Sequence, residues 1–170
     1  MQLKDLNCKP GHLMRRAQQI AVAIFMDECA GYDLTPVQYA ALVAIREYPG
    51  TDATRLSALI AFDRSTLGNV LERLEARKLV NRYAAAEDKR IKLLKITPAG
   101  ASLLKRAEAA VLRAQERILA PLKTADRNKL MELLGQLVEL NNDASRVPQR
   151  AGSVKKVRNY DAELTAVPSR

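Results

Sequence analysis

The chain has few of the residues that carry covalent and metal chemistry. Its 170 residues include one histidine, His12, two cysteines, Cys8 and Cys29, and no tryptophan. One imidazole and two separated thiols make no zinc-ligand cluster, and two cysteines do not build a disulfide framework. No phosphate-cradling glycine loop and no nucleophile elbow occur. Hence no catalytic residue, metal or cofactor is expected, and the chain does not read as an enzyme. Long apolar runs are also missing. No stretch is long enough to span a bilayer, and the opening "MQLKDLNCKPGH" lacks a signal-peptide pattern. A cytoplasmic location without a membrane partner is expected.

Positive charge and helical periodicity are plentiful. Lysine and arginine number 28 against 19 acidic residues, a formal net charge of +9. That excess fits a polyanion, or by charge alone an anionic membrane surface. With 48% hydrophobic residues the chain is globular, and its length allows one core or a small lobe plus a dimer platform.

The most informative stretch is 34–97. Thr35-Pro36 opens a helix with a hydroxyl cap and proline at the first helical position. Val37, Ala40, Ala41, Ala44 and Ile45 form its apolar face, and Pro49-Gly50 stops it. Thr51 or Asp52 caps a short helix carrying Leu56, Leu59 and Ile60. After a break at Ala61-Phe62, Asp63 caps a third helix from Arg64 to about Lys78 with Leu67, Val70, Leu71 and Leu74 inward. Arg64, Ser65, Thr66, Gly68, Asn69, Glu72 and Arg73 face outward. Short polar side chains and arginines at the start of such a helix suit base edges and phosphates of a major groove. Ser65, Thr66, Asn69 and Arg73 are expected nearest the bases, with Arg64 on bases or phosphate.

Residues 79–84 and 92–96 have strand composition and flank a charged loop, before Thr97-Pro98 caps another helix. This basic hairpin reads as a wing. Arg82, Lys89, Arg90 and Lys92 are expected on phosphates or in the minor groove, and Asp88 on a neighbouring arginine. The run "LTPVQYAAL", "TRLSALIAFDRSTLGNVLERLEARKLVNR", "DKRIKLLKITPAG" resembles the MarR family of bacterial transcription regulators, to about residue 144. Asp88-x-Arg90 followed by "ITPAG" is its most specific part; Ile91 stands where many members carry a further acid or arginine. The fold class expected is mainly α with a small β-wing, a winged helix-turn-helix lobe on a helical dimerisation platform.

The platform is assigned to 10–30 and 98–144. A helix from Pro10 to Cys29 carries Leu13, Ala17, Ile20, Ala21, Ile24 and Phe25. Another runs from Pro98 to about Leu119, and a last one is capped by Thr124. These broad apolar faces need a cover, and a second copy of the chain supplies one. A two-fold dimer presents two reading heads about one DNA turn apart, so the partner is expected to be double-stranded DNA with a near-palindromic operator. The segment 145–170, with Lys155, Lys156 and Arg158, reads as a flexible basic tail, either solvated or an arm that touches phosphate or the partner subunit.

A signal is sought in the first helix. His12, Arg16 and Gln19 recur at i, i+4 and i+7, and Tyr39 offers a flat wall. An arginine fork matches a carboxylate. The resemblance, strongest here to regulators of aromatic-acid catabolism, implies a small aromatic acid or its coenzyme A thioester as effector, with release of a repressor from its operator. Arg15 and Arg16 read equally well as partners of acids across a subunit boundary or of DNA phosphates. Two other readings stand beside this one: a redox-sensing repressor acting through cysteine, for which Cys8 beside Lys9 is the better placed, and an architectural DNA-binding protein without inducer.

Overall fold

Capping chemistry sets where the helices begin. The computed structural model describes residues 2–150. Helices occupy Leu3–Leu6 (α1), Pro10–Glu28 (α2), Pro36–Glu47 (α3), Ala53–Leu59 (α4), Arg64–Ala76 (α5), Pro98–Leu119 (α6) and Thr124–Leu140 (α7), with 3-10 turns at Ala30–Tyr32 and Asn142–Ala144. Thr35 Oγ1 accepts the Gln38 N–H at 3.3 Å while Gln38 Oε1 accepts the Thr35 N–H at 3.0 Å, a reciprocal box that starts α3. Asp52 Oδ1 accepts the Thr54 and Arg55 N–H groups at 2.7 and 2.8 Å and starts α4. Thr124 does not cap α7; Lys123 holds the cap position, its side chain making no capping bond, and Thr124 is the first helical residue.

The strands are Thr51–Asp52 (β1), Val80–Ala84 (β2) and Lys92–Ile96 (β3), antiparallel in the order β1-β3-β2. Arg82 pairs with Leu94 and Tyr83 with Leu93, while Thr51 pairs with Leu94 on the other edge. The sheet thus ties the hairpin back to the start of α4. This is the winged helix-turn-helix architecture, mainly α with a β-wing.

The core of this lobe joins Leu34, Leu42 and Ile45 to Leu56, to Leu67, Leu71 and Leu74 of α5, to Val80 and Leu94 of the sheet, and to Leu103 and Leu104 of α6. Leu42 and Gln38 are buried on α3, whereas Val37 and Ala40 are half-buried, so the inner face is rotated from the expected one. Gly100 lies where α6 crosses the sheet: a Cβ there would sit 2.3 Å from the Leu79 carbonyl oxygen and 2.9 Å from Ile96 Cγ1. Only a residue without a side chain permits that approach.

A second cluster packs Phe25 of α2 and Cys29, just past its end, on Ala110, Val111 and Ala114 of α6. Glu28 pairs with Arg113 and Arg117 at 3.1 Å each, and Arg117 also reaches Asp27. Beyond that contact α2 and α7 are bare. Leu13, Met14, Ile20 and Met26 are exposed, as are Leu133, Leu134, Leu137, Val138 and Leu140, and α7 buries no residue in the protomer. No helix among the described residues is long and apolar enough to cross a membrane.

Candidate nucleic-acid interface

The start of α5 is pinned by Asp63. Its Oδ1 accepts the Ser65 N–H at 2.9 Å and the Ser65 hydroxyl at 2.6 Å. Those bonds hold the Asp63 carboxyl below the usual carboxylate range, because they stabilise its charged form. The turn before it runs through Ala61 at φ 48°, with Ser57 Oγ donating to the Phe62 carbonyl at 2.6 Å. The other end of α5 closes in a Schellman motif: the Lys78 N–H meets Glu75 O at 2.8 Å and the Leu79 N–H meets Leu74 O at 2.9 Å, with Lys78 at φ 57°. The helix therefore ends at Ala76, two residues before the expected Lys78.

Between those ends, Arg64, Ser65, Thr66, Asn69 and Arg73 are all exposed. At 3.6 residues per turn Ser65, Asn69 and Arg73 line the side opposite Leu67, Leu71 and Leu74, with Glu72 beside them. The Ser65 proton is committed to Asp63, which leaves its oxygen as an acceptor. Glu72 is absent from the expected contacts, although a carboxylate on this face can accept from a cytosine amine.

Lys89, Arg90 and Lys92 are exposed on the wing. The tip is stiffened by Asp88, but through backbone: Asp88 Oδ1 accepts the Arg90 N–H at 2.9 Å and Asp88 O accepts the Ile91 N–H at 3.0 Å. The expected pairing with an arginine side chain is replaced by this turn, which leaves the Arg90 guanidinium unspent on it. Arg82 turns toward α5. Its Nε lies 3.0 Å from Glu75 Oε2 on α5, as an ion pair rather than an aligned hydrogen bond, and both Nε and Nη2 are shielded from solvent. In the protomer this guanidinium braces the wing against α5.

The four candidate effector residues do not converge within one protomer. Arg16 and Gln19 are exposed and His12 is half-buried. Gln19 Oε1 accepts from Arg15 Nη1 at 2.9 Å. Tyr39 packs on Phe25 with ring centroids 6.1 Å apart, and burial, then the nearby Glu108, push its phenol up. Arg16 and Phe25 are nine residues apart, or two and a half turns, so they leave opposite sides of α2 roughly 14 Å apart along its axis. Sequence spacing found the His12–Arg16–Gln19 face; it could not reveal that Tyr39 belongs to the other one. Among the thiols, Cys29 is buried and its pKa is raised by that burial and by Glu28, which disfavours a reactive thiolate. Cys8 is exposed, its S–H 3.9 Å from Lys4 O.

One feature lay outside sequence reasoning. Arg77, just past α5, donates from Nη2 to Tyr32 O at 3.1 Å and from Nη1 to Asp33 O, and its ion pair with the Asp33 carboxylate is 3.5 Å. Asp33 sits at φ 49° in the turn joining α2 to α3. The C-terminal end of α5 is thus tied to the turn between α2 and α3.

Comparison with known proteins agrees with this geometry. The model of the MarR family matches residues 32–91. The HTH-type transcriptional repressor NicR of Pseudomonas putida is 29% identical over 140 residues, covering 82% of this chain and 89% of NicR. A structure of Bordetella bronchiseptica BpsR, described as regulated in DNA binding by 6-hydroxynicotinic acid, is 30% identical with a TM-score of 0.73, covering 78% of this chain and 95% of BpsR. The repressor CouR bound to a 23-mer DNA duplex is 27% identical with a TM-score of 0.73, covering 81% of this chain and 98% of CouR.

Proposed function

The chain belongs to the MarR family of transcriptional regulators, and from that premise we propose that it is a homodimeric repressor of a near-palindromic operator, released by a small aromatic carboxylate or its coenzyme A thioester. The observation that carries the DNA half is the exposed polar face of α5 standing beside the exposed Lys89, Arg90 and Lys92 of a braced wing. Base edges fall to Asn69 and Arg73, with Ser65 as acceptor; Thr66 and Arg64 flank them. The uncovered apolar faces of α2 and α7 support the dimer, with 10–30 and 98–144 as its platform and 34–97 as the reading lobe.

The effector half rests on the outward face of α2. Arg16 offers a carboxylate a charged anchor with His12 one turn away, and in a dimer this face lies within reach of a second copy. Arg77 then couples α2 to α5, because movement of the Tyr32–Asp33 turn moves the end of the reading helix. A ligand shifts the DNA-competent population only by its differential affinity for the two arrangements. BpsR, with 6-hydroxynicotinic acid named as its regulator, suggests the first compound to try.

Fluorescence anisotropy tests both halves, using the chain's own upstream DNA, a random duplex, a salt series and added 6-hydroxynicotinate. Asn69→Ala should lose about 1–3 kcal/mol on the operator alone. Lys89→Ala with Arg90→Ala should weaken both duplexes and shallow the salt slope by about 1.8, at 0.9 per phosphate contact. Equal affinity for operator and random duplex would refute a specific repressor. Unchanged operator affinity at saturating aromatic acids would refute the effector alone.

A further inference from the structure

On the outward side of α5 one residue carries the wrong charge for a polyanion. Glu72 is exposed. At about 100° per residue it projects about 20° from Ser65, about 60° from Asn69 and about 160° from the buried Leu74. It therefore stands near the centre of the outer face. Along the helix axis it lies about 4.5 Å beyond Asn69 and one residue short of Arg73. Those are the two side chains assigned to base edges, so a helix seated in the groove carries Glu72 in with them.

Among the described residues nothing neutralises this carboxylate. The positions one turn away, where a helical ion pair would form, are Gly68, Asn69, Glu75 and Ala76, and none is a cation. Glu75 is itself a carboxylate and is already 3.0 Å from Arg82 Nε. Glu72 makes no ion pair of its own among the described residues. Gly68 leaves the neighbouring turn bare, with nothing within 4 Å of where its Cβ would be. The approach to the Glu72 carboxylate is open.

Such a group costs affinity on an arbitrary duplex. Double-stranded DNA carries one negative charge per about 1.7 Å of axis, and a carboxylate brought into its groove is repelled and loses water. The loss is offset only where the groove presents a donor. Cytosine presents its N4 amine. Guanine presents O6 and N7 and thymine presents O4, all acceptors, while the N6 amine of adenine has the acceptor N7 beside it. A carboxylate on this face is matched by cytosine and opposed by the other three bases.

We propose that Glu72 is a specificity-determining residue of α5, accepting from the N4 amine of one cytosine in each half-site and rejecting duplexes that lack it. The proposal rests on the operator-binding reading and deepens it by naming a base. The exposed Lys89, Arg90 and Lys92 attract any duplex, and Glu72 subtracts from that attraction except at the right base pair.

The test uses the full chain, Glu72→Ala and Glu72→Gln. Each is titrated by fluorescence anisotropy at fixed salt against the chain's own upstream duplex, a set in which each base pair of that duplex is replaced in turn by the other three, and a random duplex. Far-ultraviolet circular dichroism and subunit mass are recorded for each protein. In the parent, replacing the cytosine pair should weaken binding roughly 5- to 150-fold, as a mismatched base pair does. In Glu72→Ala that position should become indifferent to substitution, while the losses at other positions persist. Glu72→Gln should move the preference at the same position to adenine, whose N6 and N7 match an amide. Both variants should bind the random duplex more tightly than the parent. Base profiles identical to the parent's in both variants would overturn the proposal and leave the operator reading standing. A uniform loss on every duplex would also overturn it, making Glu72 a partner of a wing cation such as Arg90 rather than a reader of bases. Equal affinity of the parent for its upstream and random duplexes would remove the operator reading and this proposal with it.

Discussion

Gly100→Ala is a severe perturbation in a residue that touches neither DNA nor ligand. A methyl carbon packs comfortably at about 3.5 Å or more from its neighbours. At position 100 it would lie 2.3 Å from Leu79 O and 2.9 Å from Ile96 Cγ1. One obstacle is the end of a side chain and can yield. The other is backbone, and it is already in use: Leu79 O accepts the Thr97 N–H at 3.0 Å, while Thr97 Oγ1 donates to Lys78 O at 2.8 Å. The same Thr97 oxygen caps α6 by accepting the Gly100 N–H at 3.0 Å. Moving α6 away from the sheet by the required ångström strains this whole set.

Overpacking a core costs about 1–3 kcal/mol, and losing a threonine cap about 1 more. A loss of about 2–4 kcal/mol is expected, which for a chain of this size lowers Tm by about 5–15 °C. Gly68→Ala is the control. Gly68 sits inside α5 with nothing within 4 Å of its virtual Cβ. There alanine is favoured by about 0.8–1 kcal/mol through helix propensity alone. Thermal melts followed by circular dichroism at one fixed protein concentration, which matters if the protein is a dimer, should move the two variants in opposite directions. If Gly100→Ala melts at or above the parent, the close approach of α6 to the Leu79 carbonyl is wrong.

Two further outcomes follow from the ends of α5. Lys78 adopts φ 57° as an exposed non-glycine residue, so Lys78→Gly should stabilise the protein by about 1 kcal/mol in urea titration, the left-handed strain being about 1–2 kcal/mol and partly offset by glycine's greater unfolded-state entropy; a lower midpoint with unchanged m would contradict the Schellman geometry. The Asp63 carboxyl is held below its ordinary value, so its contribution is present above the unfolded pKa near 4 and is lost as pH falls through the lower folded value. Melting Asp63→Asn against the parent from pH 7 down to pH 3 should show the gap between them narrowing in acid, and a gap independent of pH would rule out the charged cap.

The sequence was most readable where a signal is local. Asp63, Thr35 and Thr97 each cap the helix that their chemistry announces, and β2 and β3 fall at 80–84 and 92–96 against the expected 79–84 and 92–96. What stayed hidden is non-local. β1 is two residues long and owes its existence to pairing with Leu93 and Leu94 some forty positions later; two residues have no period to detect. Arg82 looks like any wing cation until Glu75 is brought beside it. The bonds that Gln149 Nε2 and the Arg150 N–H donate end on the carbonyls of Leu59 and Ala58, about ninety residues earlier; the rest of the tail read from residue 145 onward, 151–170, lies outside the described residues. The relation between the candidate effector residues is non-local too: helical spacing orders one face of α2, but which face meets Tyr39 depends on how α2 and α3 pack.

That last point bears on how an effector could work at all. Moving a two-state repressor from 1:99 to 99:1 requires about 5.5 kcal/mol of differential affinity. Arg16 is exposed, and an exposed ion pair contributes about 0–1 kcal/mol, screened further by salt. The carboxylate of an effector therefore cannot supply the shift through Arg16 in the open protomer. Burying an aromatic ring comes within reach of it, at about 4–6 kcal/mol for about 25 cal/mol per Å² on about 150–250 Å². The half-buried Tyr39, set on Phe25 where α2, α3 and α6 meet, is a surface of that kind. It lies beside the Tyr32–Asp33 turn that Arg77 grips, with Tyr32 packed in the same cluster. On the proposed effector reading, a ring that wedged there would push on the turn, and the bonds from Arg77 would pass that push to the end of α5. For an effector to be held by Arg16 instead, the second subunit must close over the outer face of α2 and take that guanidinium out of water. Arg16→Ala should then weaken effector binding only in the dimer, and an Arg16 variant with full effector affinity at concentrations where the dimer persists would leave the ring as the whole of the signal.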